Sequence, residues 1–231
     1  MSSVDRRGEV AQSLNDVRTR VEQATARAGR SPESVTLIAV TKTYPASDVK
    51  ILFDLGVRDF GENRSAEGAE KSALVAGRWH FQGQIQSNKI GAIAKWANTI
   101  HSLDQLSHLA KFDRAVGEDS GKRLQIFIQL SLDGDATRAG VSGDLLLTLG
   151  QAVMESKNLD LMGLMVVPPV EADPERAFAE VTDHAERFKR EFPTATSLSA
   201  GMSGDYEIAI AYGATHIRVG SQILGPRTAP A

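Results

Sequence analysis

The sequence predicts an α/β fold, a single (β/α)8 TIM barrel with an extra helix at its N-terminus. Two observations carry this prediction. Short apolar runs alternate with segments of helical periodicity, and the alternation gives eight strands, each preceded by a helix. The length of 231 residues suits one such barrel, which typically takes about 250 residues. We therefore expect residues 1–231 to form one domain.

The first predicted helix comes before the first strand. Apolar residues recur every three or four positions in Val10–Ala28, and Gly29 is a natural stop. The next apolar run, Val35–Val40, is continuous and has no alternating polar face. Such a run is typical of a strand that is buried on both faces in a parallel sheet.

The rest of the chain repeats this pattern without a low-complexity linker. We predict further helices at Ser47–Leu55, Ser65–Val75, Ser87–Ala97, Gln105–Gly117, Gly143–Ser156, Pro174–Phe192 and Tyr206–Tyr212. We predict the strands that follow them at Val57–Phe60, Trp79–Gly83, Thr99–Leu103, Leu124–Leu130, Leu161–Val167, Thr196–Ala200 and His216–Val219. Eight such units favour a closed barrel, and a doubly wound open sheet is the alternative.

The composition excludes several classes of function. The formal net charge is −3 with both signs mixed along the chain, which argues against a nucleic-acid partner. Cysteine is absent, which excludes disulfides, thiolate metal sites and cysteine nucleophiles and fits a cytoplasmic location. The N-terminus lacks the apolar region of a secretory signal, and no run approaches the roughly 20 apolar residues of a membrane span. We expect a monomer, since no large second interface element is visible.

Binding sites of (β/α)8 barrels lie at the carboxyl ends of the strands, so the residues there are the candidates. Lys42 follows the first strand, and partial desolvation there would free its amine for imine formation. A solvated lysine is the plain alternative. Asn63 follows the second strand and offers both a donor and an acceptor, although it could also be the polar start of a helix.

The loops after the last two strands predict a phosphate site. Ser203 lies among small residues in the first loop, and Gly220 and Ser221 form the second. Each loop alone could be a turn and helix cap, but barrels commonly hold phosphate between these two positions. Arg218 interrupts the last strand, where a buried guanidinium needs a partner. That partner is either a core carboxylate or a ligand atom.

His80 lies in the third strand and is expected to be a satisfied core histidine. No Asp or Ser near it in the sequence suggests a catalytic triad.

Six segments together resemble the YggS/PROSC family of pyridoxal phosphate-binding proteins, also called pyridoxal phosphate (PLP) homeostasis proteins. They span almost the whole chain in the family's order, and the set is highly specific. The segments are AVTK (39–42), FGEN (60–63), WHFQGQIQSNK (79–89), GLMVV (163–167), LSAGMSGD (198–205) and IRVGSQILG (217–225). The resemblance implies a barrel similar to the N-terminal domain of alanine racemase, which is PLP fold type III.

The resemblance also implies a role for each candidate residue. Lys42 corresponds to the lysine that holds PLP as a Schiff base. Arg218 corresponds to the arginine that faces the pyridine nitrogen, and Asn63 to the residue near the ring hydroxyl. The phosphate ligands would be Ser203, Gly220 and Ser221. One segment departs from the family: where many members have a Ser-Lys-x-Gly run, this sequence has Thr137-Arg138-Ala139-Gly140 and so lacks the lysine for any role that needs an amine there.

The implied function is PLP binding in vitamin B6 homeostasis, with buffering or delivery of PLP and no clear turnover. Apo forms of PLP-dependent enzymes are candidate recipients. Two expectations argue against turnover. A cation facing the pyridine nitrogen weakens the ring as an electron sink. We also expect no room in this chain for the second domain that the related racemases carry.

Two other functions stay open. A racemase-like enzyme would use Lys42 on one face of a substrate, with only His80 and Tyr44 as candidates on the other. A barrel that binds a sugar phosphate without PLP is the second alternative. A second PLP site at Lys89, Lys95 or Arg138 is also left open.

Overall fold

The computed structural model describes residues 3–117, 121–135 and 138–226. The strands, β1 to β8, are Thr36–Val40, Asp59–Glu62, Arg78–Phe81, Thr99–Leu103, Leu124–Leu130, Leu159–Val166, Ser197–Met202 and His216–Val219. All neighbours pair in parallel and in sequence order, and β8 pairs with β1 to close the barrel. The predicted closed barrel is confirmed, and the open-sheet alternative is wrong.

In the part of the chain that the structure describes, one long helix precedes β1, seven helices connect successive strands as predicted, and a short helix follows β8. They are α1 to α9, at Ser3–Arg27, Ala46–Asp54, Ser65–Leu74, Ile90–Trp96, Leu106–Val116, Asp144–Glu155, Pro174–Glu191, Tyr206–Ala211 and Ser221–Leu224. Residues 3–117, 121–135 and 138–226 include no helix that is both long and apolar enough to cross a lipid bilayer.

Some strands and helices begin or end at other residues than predicted, because strand pairing overrides the local sequence pattern. β2 runs on through Gly61 and Glu62, which look like turn residues, because they pair with His80 and Phe81 of β3. The predicted helix at residues 87–97 begins as a separate 3-10 turn. The single turn α9 was not predicted, since four residues show no periodicity.

The extra helix α1 covers the outside of the barrel beside its closing strands. It contacts α2, α8 and α9. Val10, Leu14 and Val17 bury their side chains in that contact layer, and Arg20 pairs with Glu207 of α8 at 2.6 Å. Because α9 has only four residues, α1 supplies apolar cover that a longer last helix would give. Its first turns are polar, which is why periodicity placed its start at Val10.

Helices α3 and α4 approach closely at a glycine. A Cβ atom on Gly68 of α3 would lie 2.3 Å from the indole ring of Trp96, which is buried in α4. We expect Gly68→Ala to lower the free energy of unfolding by about 1–3 kcal/mol, because a packed indole has little freedom to move. Urea denaturation followed by circular dichroism measures this change.

Gly8 of α1 is the matched control for this substitution. Apart from the backbone of its own helix, no atom of the described residues lies within 4 Å of the place that a Cβ atom on Gly8 would take. Gly8→Ala should therefore raise the free energy of unfolding by up to about 1 kcal/mol, through helix propensity alone. Equal effects of the two substitutions would contradict the close approach of α3 and α4.

Candidate functional site

A cavity of about 430 Å³ opens at the carboxyl ends of the strands. All six candidate residues line it, although the chain separates them by up to 179 positions, from 42 to 221. They are Lys42, Asn63, Ser203, Arg218, Gly220 and Ser221. The structure therefore brings the whole predicted set together. What each residue binds there stays a prediction.

Barrel closure places Lys42 beside the loop after β8. Ala39 of β1 pairs with Val219 of β8, so Val40 lies against Gly220. A Cβ atom on Gly220 would lie 3.0 Å from the Val40 carbonyl oxygen, which leaves little room for a side chain. Lys42 follows two residues later and is half-buried at the cavity wall.

The loops after β7 and β8 form a small cradle with two hydroxyl groups. The Oγ atoms of Ser203 and Ser221 lie 3.4 Å apart, and Gln222 donates to the Ser203 carbonyl oxygen across the two loops. Gly204 and Gly220 also line the cavity and add no side chain. Two converging hydroxyl donors among small residues have the chemistry of a phosphate site. The cradle therefore fits the phosphate of PLP.

Another part of the cavity wall is formed by Asn63 and by Gln82, the residue that follows β3. The backbone approaches so closely here that a Cβ atom on Gly83 would lie 2.0 Å from the Asn63 carbonyl oxygen. Gln82 and Met165 line the same cavity and were missed from the sequence. Gln82 is of interest because its Nε2 atom is buried without a hydrogen-bond partner among the described residues. The position of Gln82 beside Gly83, at the end of the predicted third strand, was the one feature of the sequence that could have pointed to it.

Arg218 is buried at the base of the cavity and is 5% exposed. Its guanidinium donates to Ser199 Oγ at 2.8 Å and to the Val166 carbonyl oxygen at 2.9 Å. Among the described residues it forms no salt bridge, so the suggested ion pair with a core carboxylate is wrong. Burial lowers the pKa of Arg218 to about 10, which Asp205 partly opposes, so the group keeps its charge at neutral pH.

A chain of hydrogen bonds connects Arg218 with the other end of the barrel. Ser199 Oγ lies 2.9 Å from His101 Nδ1, and His101 Nε2 lies 2.9 Å from His80 Nδ1. His80 Nε2 lies 3.1 Å from Asp59 Oδ1. Burial, together with the nearby positive charges, lowers the pKa of His101 well below its usual value, so that ring is neutral.

The carboxylate at the end of the chain sets the direction of these bonds. Asp59 accepts a hydrogen bond from His80 Nε2, and a His80 ring that carries a single proton then has Nδ1 as an acceptor. His101 then donates from Nε2 and accepts at Nδ1 from the Ser199 hydroxyl. Ser199 is thereby left to accept from Arg218, as its position requires. His80 is the expected core histidine, and the pairing of β2 with β3 brings Asp59, which is distant in the sequence, within hydrogen-bond distance of it.

A larger groove of about 530 Å³ lies beside the cavity and shares Asn63 with it. Lys89 lines this groove, whereas Lys95 lines neither space. Arg138 donates to Asp133 and to the Val167 carbonyl oxygen, both at 2.7 Å. Thr137 of the divergent segment lies outside the described residues. We favour the smaller cavity as the site, because it combines a lysine, a hydroxyl cradle and a buried arginine.

The fold and the cavity define a (β/α)8 barrel of the class found in alanine racemases. The profile of the family described as alanine racemase, N-terminal domain, matches residues 12–228. The pyridoxal phosphate homeostasis protein of Mycobacterium tuberculosis H37Rv is 41% identical, over 96% of this chain and 95% of that protein. The protein of the same name from Escherichia coli K12 is 36% identical, over 95% and 97%. This chain belongs to the family of pyridoxal phosphate homeostasis proteins.

Solved structures agree with this assignment. PipY of Synechococcus elongatus, determined with PLP bound, is 33% identical and superposes with a TM-score of 0.80. The match covers 94% of this chain and 100% of PipY. Alanine racemase of Corynebacterium glutamicum is 14% identical with a TM-score of 0.68, over 94% of this chain and 60% of the racemase. At that identity the racemase shows the fold alone.

The anchoring carboxylate gives a prediction for stability against pH. Burial raises the pKa of Asp59, but hydrogen bonds from His80 and Arg78 outweigh it and lower the value to about 2, from 3.8. The carboxylate therefore stabilises the fold above about pH 4, and this contribution is lost as pH falls towards 2. We expect Asp59→Asn to lower the free energy of unfolding by about 2 kcal/mol at pH 7, and by much less near pH 2.5.

Urea denaturation between pH 7 and pH 2.5 measures this difference. Asp160→Asn is the control, since Asp160 also pairs with an arginine, Arg123, but both side chains are exposed. Its effect should stay below about 1 kcal/mol at every pH. A difference between wild type and Asp59→Asn that does not change with pH would contradict the role given to this carboxylate.

Proposed function

We propose that this chain binds PLP in the cavity at the carboxyl ends of the strands, and holds it reversibly in intracellular PLP homeostasis. One observation carries the proposal: a single cavity is lined by a half-buried lysine, two converging hydroxyls and a buried guanidinium. The full-length similarity to PipY, whose structure contains PLP, supports it.

The residues of the cavity match the functional groups of PLP. When bound, PLP supplies an aldehyde that condenses reversibly with a primary amine, and a phosphate. Lys42 would present the amine, and Ser203 and Ser221 would donate hydrogen bonds to the phosphate. Arg218 would face the pyridine nitrogen, and Asn63 would lie near the ring hydroxyl. This arrangement captures a reactive aldehyde and can give it up again to another amine.

We further propose that the chain buffers or delivers PLP without turnover of its own, with apo forms of PLP-dependent enzymes as recipients. The charge of Arg218 disfavours a proton on the pyridine nitrogen, which weakens the stabilisation of a carbanion. Racemisation needs an acid or base on each face of a substrate. His80 is buried with both ring nitrogens bonded, and the Tyr44 hydroxyl donates to the Gly225 carbonyl oxygen at 2.5 Å. Both candidates for the second face are thus engaged elsewhere.

Lys42 is the residue on which the binding proposal depends. After addition of PLP and reduction with borohydride, peptide mapping should find the cofactor on Lys42 of the wild type. Lys42→Ala should lose this adduct and the visible absorbance of amine-bound PLP. Lys89→Ala, in the neighbouring groove, should keep both. PLP attached to another lysine, or binding of sugar phosphates without binding of PLP, would refute the proposal.

The absence of turnover is tested separately by isotope exchange. We expect PLP-loaded protein, incubated with single enantiomers of amino acids in deuterated water, to exchange the Cα proton no faster than free PLP. Proton NMR follows the exchange, and an authentic alanine racemase serves as the positive control. Exchange well above the free-PLP rate would instead favour the racemase-like alternative.

A further inference from the structure

The turn that carries Lys42 has a strained backbone. Thr43 adopts φ 70°, and it is the one non-glycine residue with positive φ in the part of the chain that the structure describes. A β-branched side chain rarely adopts this left-handed conformation, so the surrounding contacts must hold it there. The turn's own hydrogen bond, from the Tyr44 amide to the Thr41 carbonyl oxygen, is 3.1 Å long.

Two side chains of helix α3 hold the turn on both sides of Lys42. The Thr43 amide donates to Glu67 Oε2 at 2.9 Å. The Lys71 ammonium donates to the Thr41 carbonyl oxygen at 2.8 Å. The residue before Lys42 and the residue after it are therefore both bonded to charged groups, and such bonds are stronger than neutral ones.

The ammonium of Lys71 makes full use of its three donors. Besides Thr41 it bonds Glu62 Oε1 at 2.6 Å and Glu67 Oε2 at 3.2 Å. Thr41 Oγ1 also donates to Glu62 Oε1, at 2.6 Å. Burial raises the pKa of Glu62, while the bonds from Lys71 and Thr41 oppose the rise. This charged group consists of two carboxylates and one ammonium, and it meets the backbone at the turn.

A purely structural role explains these charges poorly. Lys71 is 4% exposed and Glu62 is fully buried. Apolar residues of the same volume commonly stabilise a buried corner as well as an ion pair does, because charges must be taken out of water. Apolar residues could not bond the Thr41 carbonyl or the Thr43 amide. The feature that needs these charges is therefore the conformation of the turn.

We propose that Glu67 and Lys71 are positioning residues for Lys42. They hold Thr41 and Thr43 so that the amine of Lys42 stays in the cavity, opposite the cradle of Ser203 and Ser221. This inference rests on the proposed function, since it concerns covalent capture of PLP by Lys42.

The test separates covalent capture from binding in the cavity. Pyridoxine 5′-phosphate carries an alcohol in place of the aldehyde, so it uses the cradle and the ring contacts but cannot react with Lys42. Its affinity is measured by calorimetry. The rate of PLP capture is measured by stopped-flow absorbance and confirmed by borohydride trapping at Lys42. Thermal unfolding reports whether each variant is folded.

Glu67→Ala removes the bond to the Thr43 amide. We expect it to slow PLP capture about tenfold, as for the loss of a charge-assisted hydrogen bond, with the affinity for pyridoxine 5′-phosphate nearly unchanged. Glu67→Gln keeps an oxygen acceptor and should stay close to wild type. Adding Thr43→Gly to Glu67→Ala should restore most of the rate, because glycine adopts positive φ without strain. Glu70→Ala, on the same helix but exposed, is the control and should change nothing.

The outcomes are distinct. If wild type fails to attach PLP at Lys42, the proposed function itself fails. If wild type attaches PLP but Glu67→Ala captures it equally fast, or loses capture and analogue affinity in parallel, the positioning role is overturned. Should Glu67→Ala not fold, the double variant with Thr43→Gly decides: normal capture supports the inference and slow capture overturns it.

Discussion

The pairing of β1 with β8 is the contact on which the rest of the site depends. It joins residues from the two ends of the chain, with Ile38 opposite Arg218 and Ala39 opposite Val219. Without closure, the lysine after β1 and the cradle after β8 would lie at opposite edges of an open sheet. The helix α1 supports the closure from outside, since it packs over α2, α8 and α9. The long first helix α1 thus covers the part of the barrel that the short last helix α9 leaves uncovered.

Closure also creates a barrel interior, and this chain fills part of it with polar groups. A buried guanidinium usually requires a carboxylate nearby, because its charge is costly to desolvate. Here the carboxylate of Asp59 lies at the far end of a chain of hydrogen-bonding side chains formed by Ser199, His101 and His80. Each member has a donor for one neighbour and an acceptor for the other, so none is left unsatisfied. Arg218 lines the cavity, and no carboxylate among the described residues forms a salt bridge with it.

Much of the fold follows from local pattern, and the strands show where that stops. Thr99–Leu103, Leu124–Leu130 and His216–Val219 have the predicted bounds. The six candidate residues share a cavity because parallel strands bring their carboxyl ends together. Contacts that depend on strand register could not be predicted from the sequence. The approach of Asp59 to His80 is one of them, because it depends on how β2 pairs with β3. The network of Glu62, Glu67 and Lys71 was also missed, because a buried lysine on a helix looks like a solvated one.

The two anchors of the cavity are held in different ways, and this difference bears on reversible binding. Arg218 is fixed from inside the barrel by bonds to Ser199 of β7 and to the Val166 carbonyl oxygen of β6. Lys42 lies on a strained turn outside the sheet, held by side chains of α3. A strained turn keeps its shape only while its contacts last. Under the proposed function, loss of those contacts would displace the amine while the arginine and the phosphate cradle stay in place, so covalent capture depends on α3 and binding in the cavity does not.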